Sequence, residues 1–543
     1  MDLHRKRLHW SLVTVMTAWF LCLGTVCLVE AHEGTTGSGD LGTVHFVVSC
    51  NSEAQAKFHR AMALYHSFDW PRGKAAFAEI AQLDPRCGMA YWGLAMVAAD
   101  NPFGWPIFLK LQEGAEAIRK AQELGATTPR ERGYIAALAA LYKDHATVPH
   151  RQRALAYEQA MEQLAATYPD DVEATILSTL VISANHDLND KTFARPLRAA
   201  ALLEPLFTAY PQHPGVAHYL IHSYDYPPIA AKGLEAAKRY AGIAPDASHA
   251  HHMPSHIFTR VGFWRESVAS NQASVAAANG DALYTLHGWD YMTYAYLQMA
   301  ADASAEQVGT QALTFGTLQH ANFGALFGAA AIPARLMLER GRWAEAAQLA
   351  LPANVPTEDW QRAPQAEAIN AFARALGAAR SGNAAGARQE IERLHALQQV
   401  LTERKLAYWA EQVGIQAQVA SAWALRAEGK AGEALSAMRA AADHEDLTEK
   451  HAVTPGPIMP ARELLGDMLL EFDRPAEALE QYIASIAKEP NRFRGLYGAG
   501  LAAARAGDQT RARLYFEKLV ALCTDADGSR PELAQARQAL AQQ

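Results

Sequence analysis

MPARELLGDMLLEFDRPAEALEQYIASIAKEP, residues Met459–Pro490, reads as two helices joined by a tight turn. Leu465-Gly466 and Leu469 fall on the first helix, Ala478 and Tyr482 on the second, and Pro490 closes the unit. Those spacings match the tetratricopeptide (TPR) pattern, a helix-turn-helix repeat of about 34 residues. A second good copy lies near the other end, with Ala61, Phe77 and Pro85 at the corresponding places, and Tyr91-Trp92-Gly93 through Met96 begins the next. Between them the turns recur as GRWAEA from Gly341, GNAAGA from Gly382, GKAGEA from Gly429 and RPAEA from Arg474. Their spacing, 41, 47 and 45 residues, exceeds one repeat, so several helices must be lengthened. A helical hairpin of this kind has two apolar faces and is stable only when neighbours cover both. The pattern therefore predicts an all-α protein, a TPR-like α-solenoid with a concave groove, running from about residue 51 to 540. The Pro-rich stretch Val453–Pro460 is the expected internal joint, separating an N-terminal and central array (51–452) from the C-terminal repeats (453–540).

The bulk numbers fit that class. Of 543 residues, 50% are apolar and 20% charged, ordinary proportions for a folded domain. Alanine is abundant and few stretches look like strands. At the N-terminus Arg5, Lys6 and Arg7 precede an apolar run from Leu8 to about Val29, and Val29-Glu30-Ala31 is a small-x-small cleavage site. Residues 1–31 thus read as a signal peptide. An uncleaved membrane anchor is the alternative, because about 22 apolar residues also span a bilayer. Lipidation at Cys22 or Cys27 ranks third. Residues 32–50, rich in Gly, Ser and Thr, read as a flexible lead-in.

Cleavage would remove three positive and two negative charges from a net charge of −8, leaving −9. With no basic stripe in the chain, nucleic-acid binding is excluded. Cys50, Cys87 and Cys523 remain after cleavage. In an oxidising compartment, periplasmic or secreted, Cys50 and Cys87 are placed to form a disulfide closing the first hairpin, with Cys523 a buried free thiol.

Chemistry concentrates in one window. Eight of the 21 histidines fall between His213 and His287. Four form two His-x-x-x-His pairs, His218/His222 in HYLIHSYD and His252/His256 in HMPSHIF, offset by 34 residues. That offset is one repeat, so the pairs are expected at one position on neighbouring helices. Asp225 is at i+7 from His218, on the same stripe. His287 lies 35 residues beyond His252, with Asp290 and Tyr291 one turn on.

A pair of imidazoles four residues apart on a helix can grip one metal ion, as in zinc proteases. Those enzymes also need a Glu after the first His. Tyr219 and Met253 stand there instead, which excludes that peptidase reading. Two stacked pairs offer three or four nitrogens to one ion, or ligands for two ions with Asp225 and Asp290 as oxygen donors. Such a set suits copper first and zinc second, with iron favoured by added carboxylates. The repeat places His249, His252, His256 and Thr259 at groove positions 2, 5, 9 and 12, with packing as the alternative for His249 as for His213 and His251; His59 and His66 read as structural. Glu445-Asp446-x-x-Glu449-Lys450-His451 reads as a solvated loop ending in a proline turn, and Glu463 as groove-facing.

Taken together, SCNSEAQAKFHRAMALYHSF, DPRCGMAYWGLAM, HPGVAHYLIHSYDYP, HAHHMPSHIFTRVGFW, EDLTEKHAVTPGPIMPARELLGDML and EPNRFRGLYGA resemble segments of a group of exported bacterial TPR-repeat proteins. The resemblance implies the superhelical fold and export. It brings no settled reaction or ligand set, so no catalytic role is carried over. The residues themselves point to a metal-binding solenoid, and to a metalloenzyme where a small molecule sits in the groove. A scaffold binding a peptide or partner protein is the competing class. Against the scaffold, the central groove positions hold His and Asp, where peptide-binding grooves usually show Lys, Arg and Asn.

Overall fold

The computed structural model describes residues 40–542, and every regular element among them is a helix. The expected signal peptide or anchor (1–31) and the first part of the lead-in lie outside the described residues. Successive helices pack as antiparallel hairpins from Ser52–His66 to Pro531–Ala541, each lying against the next, in a TPR-like α-solenoid. No helix among the described residues is long and apolar enough to cross a membrane.

Local chemistry explains the hairpins. Asn51, Asp281 and Asn383 cap their helices with side-chain oxygens, and Thr128 with Glu131 makes a full capping box. The turn glycines read from the sequence, Gly341, Gly382 and Gly429, all adopt positive φ, and Asp473 does the same before RPAEA. Small residues sit where helices touch. A Cβ on Gly93 would lie 2.1 Å from the Phe77 ring, and one on Gly466 2.7 Å from Tyr482. These are the glycine–aromatic contacts that give the repeat its signature.

Two large apolar cores fill the spiral, one from Leu41 to Phe258 and the other from Leu286 to Ala536. They divide in the 258–286 region, not at Val453, which is itself buried in the second core with Ile458 and Met459. The Pro-rich stretch is therefore no joint. Its prolines stiffen a strap that runs through the interior: Arg335 donates to the Gly456 and Pro457 carbonyls at 3.0 Å, and Tyr291 to the Thr454 carbonyl at 3.2 Å.

The second half of the lead-in is not loose either. Leu41, Val44, Phe46 and Val48 are buried, and Phe46 packs among Phe58, Trp92 and Tyr134 at ring-centroid distances of 5.0–5.5 Å. Its backbone is taken up as well, Thr43 N donating to the Gln212 carbonyl and Phe46 N to His59 Nδ1. Cys50 is disulfide-bonded to Cys87 with 5.2 Å between Cα atoms, tying this segment to the helix Gly88–Ala99. Cys523 is free and buried.

The C-terminal repeats fold back on the middle of the chain through buried charge. Arg492 donates to Glu463 and Glu339, each at 2.7 Å, and to the Tyr294 hydroxyl at 2.8 Å, all of them inaccessible to solvent. Glu463 is thus an internal ion-pair partner, not a groove residue. Removing the one cation would strand two carboxylates in the core. Arg492→Met is expected to lower unfolding free energy by about 3–5 kcal/mol, read from urea denaturation. A change within experimental error would show that the network is dispensable.

Candidate metal centre

The helix Pro214–Tyr224 begins with Pro at its first turn and is buried along its whole length. It presents His218 and His222 on one face, with ring centroids 4.8 Å apart. The second pair sits on a helix that breaks, Ser248–His252 then Pro254–Arg260. Pro254 has no N–H to give to the preceding turn, so the hydrogen-bond ladder stops and restarts. Met253 keeps helical angles (φ −55°, ψ −36°), so His252 and His256 remain one turn apart, centroids 5.0 Å. The helix Ala282–Gln298 adds His287, 4.3 Å from His252, and Tyr291.

The structure gathers the predicted histidines into two triads. His218 and His222 converge with His249, and His252 and His256 with His287; within each triad the ligand nitrogens lie within 4.8 Å of one another. The triads adjoin, His222 to His256 at 6.1 Å and His249 to His252 at 6.0 Å between centroids. The two pairs therefore do not share one ion site. Each recruits a histidine from the next helix. His249, placed by the repeat on the groove face with packing as its alternative, is the third ring of the first triad.

Hydrogen bonds fix how these rings are protonated. His252 Nδ1 donates to Asn271 Oδ1 at 2.7 Å, and Asn271 is oriented by its own amide bond to the Ser267 carbonyl. His256 Nδ1 donates to Asp225 Oδ2 at 2.8 Å. Both Nε2 atoms are then bare acceptors, yet they face each other at 3.0 Å. In the first triad His218 Nδ1 donates to the His66 carbonyl at 2.6 Å, leaving its Nε2 toward His249 Nε2 at 3.1 Å, and His222 Nε2 is buried without a partner. Burial, reinforced by the neighbouring imidazoles, holds His218, His222, His249, His252 and His287 well below the ordinary value of 6.5. His256 is also lowered by burial, with Asp225 partly offsetting the effect. Neutral imidazoles with converging lone pairs are the donor set of a transition-metal site.

The two carboxylates read as oxygen donors are placed otherwise. Asp225 has both oxygens committed, Oδ2 to His256 and to Lys450 Nζ at 3.3 Å, Oδ1 to Arg260 Nε at 2.8 Å. Burial alone would raise its pKa, but Lys450, Arg260 and His256 hold it well below the carboxylate range. It orients a ring and does not join the donor clusters. Asp290 turns to the next helix, where Arg335 Nε donates to it at 2.7 Å, because that guanidinium is wholly buried and needs a counter-charge. Neither belongs to a converging group.

Lys450 corrects a further expectation. The Glu449–His451 segment is no solvated loop: Lys450 is buried on Asp225, Glu449 bonds Lys191 at 2.9 Å, and His451 stacks beside Trp409 at 5.0 Å. The charged run immediately before TPGPIMP was the only sequence signal. A third converging group, His66, Glu173 and His213, was also unforeseen. Its bonds are complete without an ion. Both rings donate Nε2–H to Glu173, at 3.0 and 2.9 Å, while His66 Nδ1 accepts from Tyr219 and His213 Nδ1 from Val216 N.

A cleft of about 70 Å³ opens onto His222, His249, His256 and His287. Beyond His222 and His451 lies a larger cavity of about 330 Å³. A larger concavity, about 940 Å³, is elsewhere, reaching His213 and Glu173 but none of the six triad rings.

No family model and no curated protein matches the chain. Similar solved structures include an IFIT1 monomeric mutant with m7Gppp-AAAA, 11% identical over 80% of this chain and 90% of that one, TM-score 0.35. Another is the APC/C hetero-tetramer Cut9-Hcn1, 10% identical over 90% of this chain and 89% of that one, TM-score 0.32. Scores this low say nothing about what this chain binds.

The protonation pattern sets a pH dependence for the metal-free protein. The rings are neutral when folded and protonate near 6.5 when unfolded, so the unfolded chain binds more protons below that value. Their contribution is complete above 6.5 and is lost as pH falls, by about 1.4 kcal/mol per pH unit for each ring while it stays neutral in the fold. Urea unfolding with chelator present should show stability falling steeply from about pH 6.5 to 5, where ordinary carboxylates are still ionised. A flat profile there would mean the rings are already charged.

Proposed function

We propose that this chain is an exported metal-binding TPR-like solenoid whose two imidazole triads each take a transition-metal ion, copper first, zinc second, iron third. His218, His222 and His249 hold one ion and His252, His256 and His287 the other, beside a cavity for a small molecule. The observation that carries the reading is the His252–His256 contact. Two Nε2 lone pairs at 3.0 Å, each with its own N–H committed elsewhere, repel unless a cation lies between them. A proton is the only other cation small enough, and burial among neighbouring imidazoles disfavours it.

Ions held by nitrogen donors in this way activate bound water or dioxygen. The chain's own residues would orient the rings through Asp225, Asn271 and the His66 carbonyl, and shield them with Phe103, whose ring stacks on His222 at 3.8 Å. Export rests on the basic and apolar N-terminal run, on the cysteine pair and on the resemblance to exported bacterial repeat proteins.

A solenoid of this kind also supports scaffold and partner-binding roles. The strap from Glu449 to Pro460 favours the metal reading, because it occupies interior space that a bound peptide would need.

Elemental analysis of purified protein, and of metal-stripped protein titrated with Cu(II) and Zn(II), tests the assignment. Two equivalents are expected. His252→Ala should lose at least one, and Asp225→Asn should weaken uptake by roughly 10–100-fold through loss of the orienting bond to His256, while also lowering stability because Arg260 and Lys450 lose their buried counter-charge. Protein that carries no transition metal and takes up neither ion would move the chain to the scaffold class.

A further inference from the structure

The cavity of about 330 Å³ beyond His222 belongs to no repeat motif, and its wall is chemically selective. Its apolar surface is rich in aromatic rings, Phe103, Trp105, Tyr226, Tyr408 and Trp409, set among aliphatic side chains such as Ile107, Leu188 and Leu406. Two of their polar atoms are already spent, the Trp105 indole on the Ala99 carbonyl and the Tyr408 hydroxyl on the Glu449 carbonyl. Their ring faces remain, beside the Tyr226 hydroxyl and the Trp409 indole nitrogen. Such walls suit a flat ring, which stacks against or edges onto them.

Several buried imidazole nitrogens are left over as well. His186 is 92% buried, by its 8% exposure, and neither ring nitrogen has a partner; His150 Nδ1 and His222 Nε2 are buried and unpartnered too. Buried polar atoms without partners cost stability unless something satisfies them. The ring of His186 is held in place, edge-on to Tyr226 at 5.0 Å, rather than turned toward any protein acceptor.

Charge on the wall completes the pattern. Arg151, Lys405 and Lys450 are cationic and Asp225 is the one acidic residue, a balance of 3 − 1 = +2. The Asp225 oxygens are already taken by His256, Arg260 and Lys450. Arg151 and Lys405 are exposed wall residues, and Arg151 Nη1 also donates to the Asn185 carbonyl at 2.8 Å. The volume is at the lower end for small-molecule sites, enough for one substituted ring and too small for a peptide segment.

We infer that this cavity binds a monocyclic aromatic anion, an arylcarboxylate or a phenolate, with its ring between the aromatic walls and its oxygens on the neutral imidazoles. This names the substrate class of the proposed metal site, and rests on that proposal only for what the ligand meets at the His222 end.

Calorimetric titration of 4-hydroxybenzoate, with benzyl alcohol as the uncharged control, into metal-loaded and metal-stripped protein tests it. One anion per chain is expected, bound about tenfold or more tightly than the alcohol, the worth of one charge-assisted contact. His186→Ala should weaken the anion by about tenfold, the loss of one buried hydrogen bond, with metal content unchanged. Arg151→Ala, at an exposed position that tolerates truncation, should weaken the anion alone. Absence of saturable binding in both forms of the protein would overturn the inference. So would equal affinity for the alcohol, or binding indifferent to both variants. Anion binding that responds to His186→Ala in a protein refusing metal would uphold the cavity and remove the metal reading.

Discussion

Asp225 is the charge on which the centre is assembled. One buried carboxylate ends the helix that carries His218 and His222, accepts the Nδ1 proton of His256 on the next, and receives Arg260 and Lys450. Lys450 comes from 225 residues away, on the strap that threads the interior. A buried carboxylate is tolerated only with compensation of this kind, and two cations supply it. The cost of hiding that charge is thus shared by segments that would otherwise have no reason to meet. The orientation of His256 follows from the electrostatics of the strap.

Much of the fold was legible because it is periodic. Helical hairpins announce themselves through Gly, Ala and aromatic residues at fixed offsets, and the turns at Gly341, Gly382 and Gly429 are in the structure where the sequence puts them. The histidine pairs were legible for the same reason, since i and i+4 share a helical face. What could not be read was every contribution that is not periodic. His249 joins the first triad from the first turn of the helix Ser248–His252, a position that the His-x-x-x-His spacing does not mark. Lys450 reaches Asp225 because a proline-rich strap turns inward. The alternation Val44, Phe46, Val48 was a readable sign of an extended, half-buried segment, but the Gly and Ser around it argued for looseness. The carboxylates misled because a stripe on a helix shows which way a residue points and not which counter-charge waits there. Asp290 went to Arg335, a guanidinium whose burial no pattern in the sequence reveals.

Among the described residues three groups of ligand-type side chains converge, and proximity does not distinguish them. Proton accounting does. Around Glu173 each imidazole gives one hydrogen bond to the carboxylate and accepts another from Tyr219 or Val216 N, so every site is filled with both rings neutral. Around His252 and His256 the donors point outward to Asn271 and Asp225, and two acceptors are left facing inward. The first arrangement is a closed structural network. The second is open by one cation. Counting donors against acceptors thus separates a packed histidine cluster from a candidate ligand set, and the same reasoning marks His186 and His222 as nitrogens awaiting a partner.

Position in the spiral explains why such costly groups collect here. The two apolar cores divide between Phe258 and Leu286, and the helices bearing His252, His256 and His287 lie along that seam. Polar side chains at a seam interrupt neither core. Their hydrogen bonds run from one to the other, as Lys450 does to Asp225 and Lys191 does to Glu449. A repeat array built only from hairpin contacts can flex between neighbours. Closing it with buried Arg492, Arg335 and Lys450 ties remote repeats together. The six rings stand on three successive turns of the array, and an ion shared within a triad would tolerate little drift among them. The charged ties that a simple solenoid does without are what convert a flexible groove into a rigid interior cavity.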